Sequence, residues 1–101
     1  MKYKSNKLRK LENNRYSIIV DNMNYCVECG KKRDDLNEIF PGRNRQNSMK
    51  YGLVIPMCRS CHRKYTDNRE LQLKWMKIGQ KAFEDNYDEE FIKIFRRNYI
   101  D

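Results

Sequence analysis

Long hydrophobic runs are missing from this chain. No apolar cluster outruns Ile18-Ile19-Val20, far short of the roughly 18 consecutive apolar residues that a membrane span needs, so membrane insertion is excluded. The basic opening, MKYKSNKLRKLENNRY, runs into no apolar stretch of the length a secretory leader requires, and a cytoplasmic location is expected. Apolar residues are scarce throughout: 39% of the 101 residues are hydrophobic and 36% are charged. A domain this short buries too little apolar surface to offset its chain entropy comfortably. It needs a staple. Histidine is nearly absent as well, His62 being the only one.

What the chain does have is four cysteines and a surplus of basic charge. The formal net charge is +8, and its placement is uneven. Residues 1–20 carry six basic side chains against one acidic, and residues 31–64 nine against three. The stretch 65–101 is close to balanced, with seven against eight. A basic arm and a basic middle suit a polyanion or an acidic protein surface, and equally a solvated face kept for solubility. No acidic surface is expected.

The cysteines fall as Cys26-x-x-Cys29 and Cys58-x-x-Cys61, with 28 residues between the pairs. Each pair is a local turn that presents two sulfurs, and two such turns can close on one tetrahedral ion. Four soft thiolates fit zinc best and leave no coordination position for water, so one structural Zn2+ is expected. Two disulfides, or a redox Cys-x-x-Cys, are the competing readings. A reducing compartment argues against the first, and the lack of a surrounding βαβ pattern against the second. His62 directly follows Cys61 and is an alternative fourth ligand; more often a residue there supports the shell or packs on the helix. Four thiolates around Zn2+ leave a net charge of −2, which Lys31, Lys32, Arg59 and Arg63 beside the cysteines would offset.

The pattern along the chain predicts one α+β domain in three parts: a basic helix or arm over 1–22, a zinc-knuckle core over 23–66, and helices over 67–101. Leu8, Leu11, Tyr16, Ile19 and Val20 recur at roughly helical spacing over 4–22. Gly30, just past Cys29, is free to take the positive φ that closes a knuckle. Leu36 to Phe40 reads as a short strand stopped by Pro41-Gly42, and Leu53-Val54-Ile55 as a second strand leading into Cys58, with a basic polar loop from Arg43 to Lys50 between them. Asp67, with Glu70 three residues on, reads as the cap of a helix whose apolar stripe is Leu71, Trp75, Met76, Ile78 and Phe83. A last helix is expected from Asp88, with Phe91, Ile94 and Phe95 facing inward.

The stretch from Leu36 through Lys50-Tyr-Gly-Leu-Val54 to Cys58-Arg-Ser-Cys-His62, with both cysteine pairs, Asn68-Arg-Glu-Leu71 and the C-terminal Ile94-Phe-Arg-Arg-Asn-Tyr-Ile100, resembles small HNH-like proteins of bacteriophages that infect Gram-positive bacteria. The resemblance implies a zinc-stapled ββα-type core with short strands between N-terminal and C-terminal helices. In HNH nucleases such a core holds a catalytic divalent ion on His or Asp side chains, beside a His that deprotonates water. The resemblance places the first pair at Asn37-Glu38, the central Asn near Gly52-Leu53 and the later His near Thr66. All three places depart from the pattern: Asn37 and Thr66 are poor ligands for a hard cation, and Glu38 is a weak base beside an imidazole. No catalytic residue is therefore assigned.

A domain that keeps the staple and lacks the cutting ligands reads as a binding protein. Among phage proteins of this size, the resemblance extends to type II anti-CRISPR proteins, and implies a host defence protein, Cas9, as the partner in the bacterial cytoplasm. The alternative is a basic nucleic-acid binder, and less so an HNH endonuclease. For either kind of binding the candidate contacts are Lys7, Arg9, Lys10, Arg43, Arg45 and Lys50, with Lys2 and Lys4 in the arm and Tyr16 or Tyr51 as a stacking ring. Trp75 reads as core.

Overall fold

The computed structural model describes residues 6–100. Lys2 and Lys4 lie outside the described residues. Five helices surround one two-stranded antiparallel sheet, a small α+β arrangement. In chain order the elements are α1 (Asn6–Asn13), β1 (Asp35–Glu38), a 3₁₀ turn (Gly42–Asn44), α2 (Arg45–Lys50), β2 (Val54–Met57), α3 (Arg59–Thr66), α4 (Arg69–Asn86) and α5 (Phe91–Phe95). The strands pair from Asp35 opposite Met57 to Glu38 opposite Val54.

The outer edge of β2 holds the first cysteine turn. Pro56, in the middle of β2, has no N–H to give, while its carbonyl accepts the Val27 N–H at 3.0 Å. The first cysteine turn is thereby hung on the outer edge of β2. That turn is a miniature hairpin: Tyr25 bridges Lys32, Cys26 N–H reaches Lys31 O at 2.7 Å, and Gly30 takes φ +78° as its position required. β2 then runs directly into Cys58, which caps α3.

The core lies between the sheet and the C-terminal helices. Ile39, Leu53, Ile55, Met57, Phe83 and Phe95 are sealed from solvent. Its centre is aromatic: Phe91 and Phe95 stack with ring centroids 4.5 Å apart, and Phe40 meets Phe95 at 4.9 Å and Phe91 edge-on at 5.2 Å. Two buried polar side chains are satisfied there. Ser48 Oγ donates to Phe40 O and accepts from Phe40 N–H, while Gln80 takes the Tyr99 N–H and gives to Asn98 and Glu84.

Five sequence expectations are corrected here. The helix expected over 4–22 ends at Asn13, because Asn14 folds its side chain onto Lys10 O and the β-branched Ile18-Ile19-Val20 run disfavours continuation. Tyr16 to Val20 instead form an irregular strap, bent where Ser17 Oγ accepts from Ile19 N–H at 3.0 Å and pinned where Ile18 N–H meets Gly52 O at 2.8 Å. The polar loop expected from Arg43 to Lys50 is helical, since Ser48 and Met49 turn into the core. Asp67, expected to cap the long helix, instead closes α3, a helix that precedes it, and the cap of α4 is Asn68, whose Oδ1 accepts the Leu71 N–H at 3.0 Å. α5 begins at Phe91 rather than near Asp88, with Phe91 and Phe95 buried and Ile94 half-buried. On α4, Trp75, Met76 and Phe83 are buried as expected, but Ile78 is exposed.

Candidate metal centre and the clefts beside it

The two cysteine turns meet. The sulfurs of Cys26, Cys29, Cys58 and Cys61 all lie within 4.8 Å of one another, and Cys29 Sγ stands 3.5 Å from Cys58 Sγ. Four sulfurs at about 2.3 Å from one ion in a tetrahedron lie about 3.8 Å apart, so this group could hold a metal ion. The local backbone prepares it. Cys26 Sγ accepts from the Glu28 N–H at 3.4 Å, and Cys58 Sγ from the Cys61 N–H at 3.5 Å.

Protonation points the same way. For Cys26, burial opposes ionisation, yet hydrogen bonds from the backbone at Cys58, Cys29 and Glu28 overcome it and bring the thiol down to about 6. Cys61 is pushed up to about 12, first by its hydrogen bond with Cys58 and then by burial. Sulfurs this close cannot all ionise unaided, and a divalent cation between them removes the conflict.

His62 is not in the group. Its Nδ1 stands 3.2 Å from Asp35 Oδ2 on β1, and that carboxyl is held below its ordinary value chiefly by His62, with Arg59 adding to it. The alternative of His62 as a ligand is thus set aside, and Arg59 pairs with Asp35 at 3.4 Å. Two residues that the sequence reading passed over secure the site. Glu28, between the first two cysteines, accepts from Trp75 Nε1 at 2.6 Å and pairs with Lys74 Nζ at 3.5 Å. A buried tryptophan needs a partner for its N–H, which is the one signal that pointed to such a clamp; no signal named Glu28.

Beside the centre, the places that the resemblance assigned to cutting do converge in part. Asn37, Glu38, Thr66 and His62 line one cavity of about 200 Å³. Gly52 and Leu53 lie elsewhere, under Tyr16 and in the core. Glu38 is occupied: its Oε1 accepts from Arg15 Nη2 at 2.8 Å and from Arg45 Nε at 3.2 Å. Thr66 Oγ1 donates to His62 O within α3.

The candidate binding residues divide into three. Lys7, Lys10 and Lys50 come together around a groove of about 260 Å³ between α1 and α2, with Leu11, Met49 and Tyr16. Arg45 does not join them, because Glu12 at 2.7 Å and Glu38 hold it in ion pairs. Arg9 and Arg43 are exposed but line neither this groove nor its neighbour. Tyr51 is not a stacking ring: it is buried, its hydroxyl donating to Glu89 at 2.6 Å. The surface also carries an acidic face, contrary to expectation, where Glu84, Asp88, Glu89 and Glu90 gather between α4 and α5.

Comparison with protein-family models, with curated proteins and with solved structures found no match in any of the three. Among the described residues no helix is long and apolar enough to cross a membrane.

Proposed function

We propose that this chain is a non-catalytic binding domain of HNH-like descent, stapled by one structural zinc on Cys26, Cys29, Cys58 and Cys61. Zinc is favoured because an all-thiolate donor set of tetrahedral size is its commonest structural site. The observation that carries the non-catalytic reading is the state of Glu38. A carboxylate locked between two guanidiniums is neither a free base nor a ligand with charge to spare, and its neighbours Asn37 and Thr66 bring no charge at all.

The partner follows from the resemblance: Cas9, bound through protein contacts that block loading of guide or target. The second reading, a nucleic-acid binder, is favoured by the convergence of Lys7, Lys10 and Lys50 in one groove. The purified chain, incubated with supercoiled plasmid and Mg2+ or Mn2+, should leave the plasmid uncut. Cutting that disappears in Glu38→Ala protein would overturn the non-catalytic reading; cutting that persists there would mark a contaminant. Co-purification with Cas9 that survives nuclease treatment supports the inhibitor, and its loss on nuclease treatment supports the second reading.

A further inference from the structure

From the α1–α2 groove we infer that the chain binds single-stranded nucleic acid there, the lysines taking phosphates and Tyr16 stacking on a base. The inference rests on the binding-domain reading and gives it a site and a ligand class. Lys7, Lys10 and Leu11 share one face of α1, while Met49 and Lys50 come from the end of α2. A second cavity of about 290 Å³, lined by Lys7, Leu11, Gln46, Asn47 and Lys50, shares three residues with the first, so the two form one trough. Among the described residues no carboxylate lines either part. None of the three lysines forms an ion pair with a described residue, in contrast to Arg15 and Arg45 a short distance away.

The floor is what separates strand from duplex. A duplex presents phosphates and sugars and has no use for an apolar trough, whereas a single strand offers phosphates alternating with flat rings. Tyr16 is 41% exposed yet held still. Its hydroxyl donates to Lys50 O and lies 3.2 Å from Tyr87 Oη, and its ring rests on the bare α-carbon of Gly52. An exposed ring fixed in this way loses little freedom when a base stacks on it. An acidic peptide would use the lysines and leave the ring idle.

The test is fluorescence anisotropy of a short labelled oligothymidine strand against the full zinc-loaded chain, over a salt series. Binding is expected, with the logarithm of affinity falling against the logarithm of salt at a slope of about −2 or steeper, as three phosphate contacts require. Lys7→Glu with Lys50→Glu, both at exposed positions, should weaken it on the order of tenfold or more. Tyr16→Leu should cost a similar factor while Tyr16→Phe, which keeps the ring, should not; each variant is first checked for unchanged thermal unfolding. Tighter binding to the matching duplex, displacement of the strand by polyglutamate at equal charge, or affinity indifferent to these variants would overturn the inference. A strand left unbound overturns it too and leaves the binding-domain reading standing; a strand bound and then cut overturns that reading instead.

Discussion

Glu38 shows how much a single side chain settles in a domain of this size. Its carboxylate is largely buried and serves two arginines, one from the strap after α1 and one from α2. Glu38→Gln should therefore lower stability by about 1–2 kcal/mol, since it takes a charged partner from two half-buried guanidiniums at once, whereas Arg45→Ala, at the more exposed partner, should cost below about 1 kcal/mol. Urea unfolding of the two variants checks the order. Gly52 is a sharper case. Its φ is +74°, and a Cβ there would lie 2.5 Å from Tyr16 Cε2. Gly52→Ala should destabilise by about 1 kcal/mol from the backbone alone and by more from displacing Tyr16, so the oligothymidine affinity should fall along with the melting temperature.

At the scale of elements, the cap of α4 separates two neighbours that look alike in the sequence. Asn68→Ala removes the acceptor for the Leu71 N–H and should cost about 1 kcal/mol. Asp67→Ala should be close to neutral, as Asp67 only follows the last turn of α3. The link from the end of α2 to the start of α5 has a pH signature. Tyr51 is pushed up to about 12 from 10.0, first by its hydrogen bond to Glu89 and then by burial. A phenol whose folded value is raised contributes stability that is fully present below pH 10 and is lost as pH rises toward 12. Alkaline unfolding across that window, followed by far-UV dichroism against tyrosinate absorbance, should be less steep in Tyr51→Phe protein. The limits of sequence reading also belong to this scale. Strands and the α4 stripe were legible because short apolar runs and helical spacing are local. The path of the chain after Asn13 and the helix at 45–50 were not, because each depends on a distant partner: Gly52 O for the strap, the Phe40 backbone for Ser48.

For the molecule as a whole, the spacing of two Cys-x-x-Cys pairs was enough to pick out the four cysteines that the fold brings together. Each pair is a self-contained turn, and only their meeting depends on the fold. The supports of the centre, Glu28 on Trp75 and Asp35 with His62, were out of reach because they join residues 47 and 27 positions apart. The proposed binding face was half legible: composition marked six basic residues, and the fold gathers Lys7, Lys10 and Lys50 while neutralising Arg45. Charge is segregated as well, with lysines on the α1–α2 side and carboxylates between α4 and α5. Such a pattern orients a polyanion toward one side only.

The proposed staple carries the rest. Metal binding to four thiolates contributes on the order of 10 kcal/mol, comparable with the whole stability of a small domain. The most direct measurement is a zinc titration into reduced, chelator-stripped protein at neutral pH, followed by far-UV circular dichroism. The expected result is a largely unfolded chain that regains its cooperative fold with a break at one equivalent. A stripped chain that already shows the native spectrum and the same melting temperature would contradict the account.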